Sequence, residues 1–315
     1  MWGLERAKIE RALLILALAE SPVVLQLLDL DRSYLFFAFG LAWAVALYGL
    51  IDPKPRAIPI GLGVYVATAV TALPLLVLWM NAVPGLGHLL PAGLGRQFIG
   101  SFGVGLREEV SKSTALVAIL WIGLHLPIPF SSREGMIYGA MSGLAFSAVE
   151  NLETFHKMGH LDQLTAAHGL DAALAWTVAA ALSRLVLTPL AHACWSATVG
   201  FGFTAPGRSP ARRLALGAGA FALVSVIHGL YDTCATLGNR LGVGALLALS
   251  FVLLLFLVSR GEQLEGHVPE RRHDRALIVP APLGVRKLAL PVAMAAIVLA
   301  LVGWSLAHYG LATGV

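Results

Sequence analysis

The chain has 315 residues, enough for one or two soluble domains, yet 57% of them are apolar and only 13% are charged. Soluble domains run at about 45–50% apolar and about 25% charged, and the mean hydropathy here is +0.78. A large soluble domain is therefore excluded, and the chain reads as one all-α membrane domain over residues 1–315 with the lipid bilayer as its solvent. The net charge of +4 is assigned to basic loops that orient the chain in the membrane, with no nucleic-acid partner implied.

A spanning helix needs about 20 mostly apolar residues. The first candidate covers 12–28, where Glu5, Arg6, Lys8 and Arg11 precede a run of Ala and Leu at 12–19. No small-residue cleavage site follows, so this segment reads as a retained first helix. Further candidates cover about 35–51, 58–80, 98–124, 132–155, 172–203, 211–235, 241–259 and 288–310. Turn formers separate them, among them Asp52-Pro53-Lys54-Pro55, Pro127-Ile128-Pro129 and Ala205-Pro206-Gly207. Cys194 and Cys234 lie within apolar segments without CxxC spacing and read as small buried thiols.

Basic residues set the number of spans. With nine helices, fifteen Lys and Arg fall in loops on one side and four on the other, and three lie inside helices. Without the 12–28 span the loop split weakens to twelve against seven. The positive-inside rule then favours a polytopic bundle of about nine spans in the cell (inner) membrane, its N-terminus cytoplasmic and its C-terminus extracytoplasmic. Eight spans plus an interfacial first helix is the alternative. The polar stretch 260–287, centred on Arg271-Arg272-His273-Asp274-Arg275, becomes a cytoplasmic basic loop. His156, His160 and His168 fall in an outer loop and read as solvated.

An ionisable group at the bilayer centre costs about 2.5–3.5 kcal/mol on insertion scales. Such groups persist where they pair or work. Arg107, Glu108, Glu109 and Lys112 nevertheless lie within one apolar segment. Glu150 lies in a second, Arg184 and His192 in a third, His228 and Asp232 in a fourth. Residues four apart share a helical face, which projects His228 with Asp232 and Glu108 with Lys112. Glu108 and Glu109 point about 100° apart. Arg107, Lys112 and Arg184 are the natural structural counter-charges. In the nine-span arrangement Glu108 lies ~15 Å from the outer end of its helix, so a cavity gathering these groups opens to the outside.

Four stretches in chain order carry a resemblance. Glu108-Glu109-Val110-Ser111-Lys112 is similar to an EExxK motif, and Phe146 through Glu150-Asn151 to FxxxEN. Arg184 through Pro189, His192 and Trp195 is similar to RxxxxPxxHxxW, and His228 through Asp232 to HxxxN/D. Together, over about 95–235, these resemble the PrsW family of intramembrane proteases, in the wider clan of CAAX prenyl proteases and abortive-infection or bacteriocin-processing proteins. The helices over about 12–80 and 241–310 are then peripheral. The resemblance implies a hydrolase that cuts a peptide bond of a membrane-anchored protein. First-site cleavage of an anti-sigma factor outside the cytoplasm is one role in the family.

Amide hydrolysis needs an activated water, a proton for the leaving amine and a stabiliser for the oxyanion. In one version Glu108 or Glu109 is the general base, His192 orients it, and His228, positioned by Asp232, donates to the oxyanion. In the other, His192 and His228 bind zinc with Glu150 or one of the pair, and the remaining glutamate is the base. No HExxH is present. Two further readings are a non-catalytic clan member and a proton-coupled transporter, although no internal repeat supports the latter.

Overall fold

The computed structural model describes residues 33–82, 90–124, 130–157, 169, 183–205 and 209–266. Within them every regular element is helical and none is a strand. In order these are α1 (Ser33–Ile51), α2 (Ala57–Ala82), α3 (Leu94–Leu124) and α4 (Ser132–Lys157). A π-helical turn (Ser183–Leu187) then leads into α5 (Thr188–Thr204), followed by α6 (Pro210–Thr236) and α7 (Arg240–Gly266). The expected segments 12–28 and 288–310, and with them the nine-span count, involve residues outside those described.

Among the described residues, four helices are long and apolar enough to cross a membrane: Ala57–Asn81, Ser183–Thr204, Pro210–Thr236 and Arg240–Leu264. The 31-residue α3 falls short of that measure because it carries Arg107, Glu108, Glu109 and Lys112. Valines and leucines such as Val66, Val70, Leu249 and Val252 stand exposed on α2 and α7, as lipid contact requires.

The chain divides into two compact units. One comprises Met1–Leu50, Ser147–Leu190 and Gly284–Val315. Within it, Arg184 on the π-helical turn pairs with Glu150, and the Asn151 amide donates to the Arg184 carbonyl at 2.6 Å. The reason lies in Pro189, which has no N–H. In π spacing residue 189 would bond the carbonyl five back, which is that of Arg184. Asn151 supplies the donor that proline lacks.

The other unit comprises Ile51–Phe146 and Ala191–Leu283. In it α3 packs on α2 and α6, and α6 on α7. A reciprocal cap starts α4: the Glu134 amide donates to Ser131 Oγ, and the Ser131 amide to Glu134 Oε2 at 2.8 Å. The buried Glu134 carboxylate also receives the fork of Arg56. Asn239 Oδ1 caps α7 by accepting from the Gly242 amide, after Gly238 has closed α6 at φ 67°.

Glycines set the seam between α4 and α5. A Cβ at Gly139 would overlap the Ser196 carbonyl, and one at Gly143 would overlap that of His192. The backbones therefore meet directly. Cys194 is buried, whereas Cys234 is partly exposed.

Candidate functional site

Three helices bring the ionisable groups of the second unit together. α3 supplies Glu108, Glu109 and Lys112, α5 supplies His192, and α6 supplies His228 and Asp232. Glu109, Lys112, His192 and His228 are buried, and so is Glu108. The His228 ring lies between the two adjacent glutamates. Its Nδ1 is 2.9 Å from Glu109 Oε1, and its Nε2 is 3.3 Å from Glu108 Oε2. Two carboxylates that leave the helix about 100° apart reach one ring because imidazole carries nitrogens on two edges. Asp232 Oδ2 stands 3.6 Å from the same Nε2.

The salt bridge of Lys112 is with Glu109 at i+3, at 2.6 Å with both side chains fully buried. Helical spacing alone had projected Lys112 with Glu108; the side chain turns instead to where Glu109 and His192 converge. Its ammonium is 2.7 Å from His192 Nδ1 and lies over the rings of Phe146 and Trp195. Thus the Glu109–Lys112 pair holds both imidazoles by their Nδ1 edges. Ammonium only donates and carboxylate only accepts. A neutral His192 therefore accepts at Nδ1 and carries its proton on Nε2. A neutral His228 donates from Nδ1 and keeps a lone pair on Nε2. One ring is offered as a donor, the other as an acceptor.

Packing fixes the ring planes. Trp195 stacks on His228 with centroids 4.4 Å apart and meets His192 edge-on at 5.3 Å. A Cβ at Gly105 would come 3.1 Å from His228 Cγ, so this glycine leaves the ring its seat. Behind α3, Ser142 Oγ donates to the Lys112 carbonyl at 2.7 Å and meets Thr68 Oγ1 at 3.1 Å.

The remaining candidates sit differently. Arg107 is partly buried on α3, and its carbonyl accepts from Ser111 Oγ. Glu150 and Arg184 pair with each other in the first unit, where Arg184 also reaches Asn151 Oδ1 at 3.5 Å. The sequence offered no sign of Gly105 or Gly143, which act by lacking a side chain. Nor did it mark Ser250, a lone hydroxyl in an apolar run.

Among the described residues, one group of potential metal ligands stands out: Glu108, His192 and His228, with ligand atoms all within 4.8 Å of one another. Over residues 56–259 the chain matches the model for PrsW family intramembrane metalloproteases. The chain belongs to the PrsW family. No characterised protein and no solved structure matches it.

The PrsW match makes this chain a membrane peptidase by family, and it raises the question of a metal. Two imidazoles and a carboxylate are the donor set of several zinc hydrolases. Tetrahedral zinc with bonds near 2.0–2.1 Å spaces its ligands about 3.3–3.4 Å apart, which the Glu108–His228 pair meets at 3.3 Å. Glu109 on His228 Nδ1 is the kind of carboxylate that orients a metal-binding histidine. His192 completes the set when its ring turns a lone pair inward, which means giving up the hydrogen bond from Lys112. On donor type, burial and spacing, the residues of this PrsW chain fit a zinc ion.

Proposed function

We propose that the chain hydrolyses a peptide bond of a membrane-anchored protein on the extracytoplasmic side, with Glu108, His192 and His228 as its reacting centre. A membrane-anchored anti-sigma factor is the proposed substrate class. The observation that carries this reading is the buried convergence of those three side chains from three helices, joined to the family membership. The excess of basic residues in the opposite loops supports the side and the inner membrane.

The two glutamates divide the work by access. The Glu109 side chain is fully enclosed and bridges Lys112 and His228, whereas that of Glu108 is 11% exposed. Glu108 takes the proton of the attacking water on its carboxylate, can share it with the His228 Nε2 lone pair it faces, and gives it up to the leaving amine. His192, with its proton on Nε2, donates to the carbonyl oxygen as negative charge develops there. Asp232 stands at the partly exposed rim, 3.6 Å from the His228 Nε2. Glu109 and Lys112 fix the rings, and Glu150 with Arg184 holds the π-helical turn.

The donor set favours a second form of the centre, in which zinc is held by Glu108, His192 and His228. When bound, such an ion polarises the carbonyl and acidifies a water.

The test is cleavage of a single-span membrane protein in proteoliposomes. Glu108→Gln and His192→Ala are expected to abolish it while keeping helical content, and unchanged cleavage in both would remove the proposed centre. Chelation followed by a metal assay separates the two forms. Metal-free protein that still cuts sinks the zinc form, and loss of cleavage that added zinc restores supports it.

A further inference from the structure

We propose that Ser250 on α7 is a positioning residue for the reacting centre, acting through Trp195 on the plane of His228. The inference rests on the reading of His228 as part of that centre.

The Trp195 indole is 1% exposed, and its Nε1–H donates to Ser250 Oγ at 2.9 Å. Ser250, equally buried, donates its own proton to the Leu246 carbonyl at 2.7 Å. The bonds run one way, from indole to hydroxyl to helix backbone, and use the lone pair that the Ser250 proton leaves free. A buried indole N–H without an acceptor is costly, so this bond selects one ring orientation. The indole tied in this way stacks on His228 at 4.4 Å with 30° between planes, and Tyr231 meets it edge-on at 5.6 Å.

His228 is thereby bounded on every side that matters. Glu109 holds Nδ1, Gly105 leaves room for the ring, and the indole covers its face. Three of those restraints come from α3 and α5. The indole is itself referenced to α7, whose surroundings at residue 250 are otherwise leucine, alanine and phenylalanine. A serine there has no packing advantage over alanine, and its hydroxyl serves the indole.

The test uses the full-length protein in detergent and in proteoliposomes, with Ser250→Ala, Ser250→Thr, Trp195→Phe and the double variant Trp195→Phe/Ser250→Ala. Loss of the acceptor lets the indole tip. Ser250→Ala is expected to lower kcat about tenfold with KM unchanged, since small misplacements of reacting groups are expensive. Ser250→Thr, which keeps the acceptor, restores kcat to within about twofold of the native value. Phenylalanine has no N–H to satisfy, so in the Trp195→Phe background the alanine change has almost no effect, a non-additivity that marks coupling. The second readout is the His228 ring-proton signal in the resting protein. A ring stacked on His228 shields those protons, so the signal moves downfield in Ser250→Ala and returns in Ser250→Thr.

An unmoved His228 signal overturns the proposal, as does native kcat in Ser250→Ala or an equal loss in both backgrounds. The ring signal needs no turnover. A protein that cleaves nothing would refute the peptidase centre while this geometry still stood or fell on the spectrum.

Discussion

Among the described residues, two clusters of ionisable side chains in apolar helices differ in what their charges face. In one, Glu150 meets Arg184, and Asn151 completes the set by serving both the side chain and the carbonyl of the same arginine. Its formal charges cancel, and its side chains keep some exposure. In the other, Glu108, Glu109 and Asp232 gather around two imidazoles with one ammonium, Lys112, among them. The carboxylates there are turned on rings that can donate or accept. A balanced set resembles a strut. A set built around titratable rings, kept at the cost that burial imposes, is where chemistry is to be sought.

The largest expected effect tests that contrast directly. Glu108→Gln should lower cleavage by about 10³-fold or more with the helices intact by circular dichroism. Next, Lys112→Met leaves Glu109 buried without its ammonium and should cost about 3–5 kcal/mol of stability, measured by denaturant titration in detergent. A small loss there would mean that Lys112 balances nothing. Gly143→Ala drives a methyl group into the His192 carbonyl and should cost about 1–3 kcal/mol with a fall in activity. Gly103→Ala, where a Cβ meets nothing within 4 Å, serves as its neutral partner. The smallest effect belongs to the balanced cluster. Glu150→Gln should cost about 1 kcal/mol or less and leave kcat within about threefold. A collapse of activity comparable to that of Glu108→Gln would erase the distinction between the clusters.

Much of this was legible because lipid makes charge conspicuous. Glu108, Glu109, Lys112, His192 and His228 stand out in apolar runs, and the motif spacings assign them to one family. Asp232 near His228 follows from i+4 spacing. Partner choice was less accessible. Lys112 lies four residues from Glu108 and three from Glu109, both spacings that share a helical face, and the ammonium turns to where His192 approaches from α5. Glu150 reads as a candidate ligand because it is an intramembrane acid, and nothing local to it announces that Arg184 pairs with it from another helix. The Ser131–Glu134 cap was available as an S-x-x-E signal, whereas the buried acceptance of Arg56 by the same glutamate depends on tertiary contact. Gly105, Gly143 and Ser250 were invisible for a simpler reason, since their effect is defined by the neighbour that approaches them.

The glycine seam between α4 and α5 has a consequence for how this protein can vary. In lipid, apolar side chains gain little by leaving one apolar medium for another. Close backbone approach, with its many weak attractions, is therefore a principal means of fixing two helices. At Gly139 and Gly143 the important specification is an empty volume, and no residue larger than glycine reproduces it. A saturation scan should then show positions one helical turn apart, Gly135, Gly139 and Gly143, where even alanine is rejected, beside apolar positions on the lipid face that accept almost any hydrocarbon. His192 would owe its depth to those silent positions, and its tolerance for change would be set by atoms the chain leaves out.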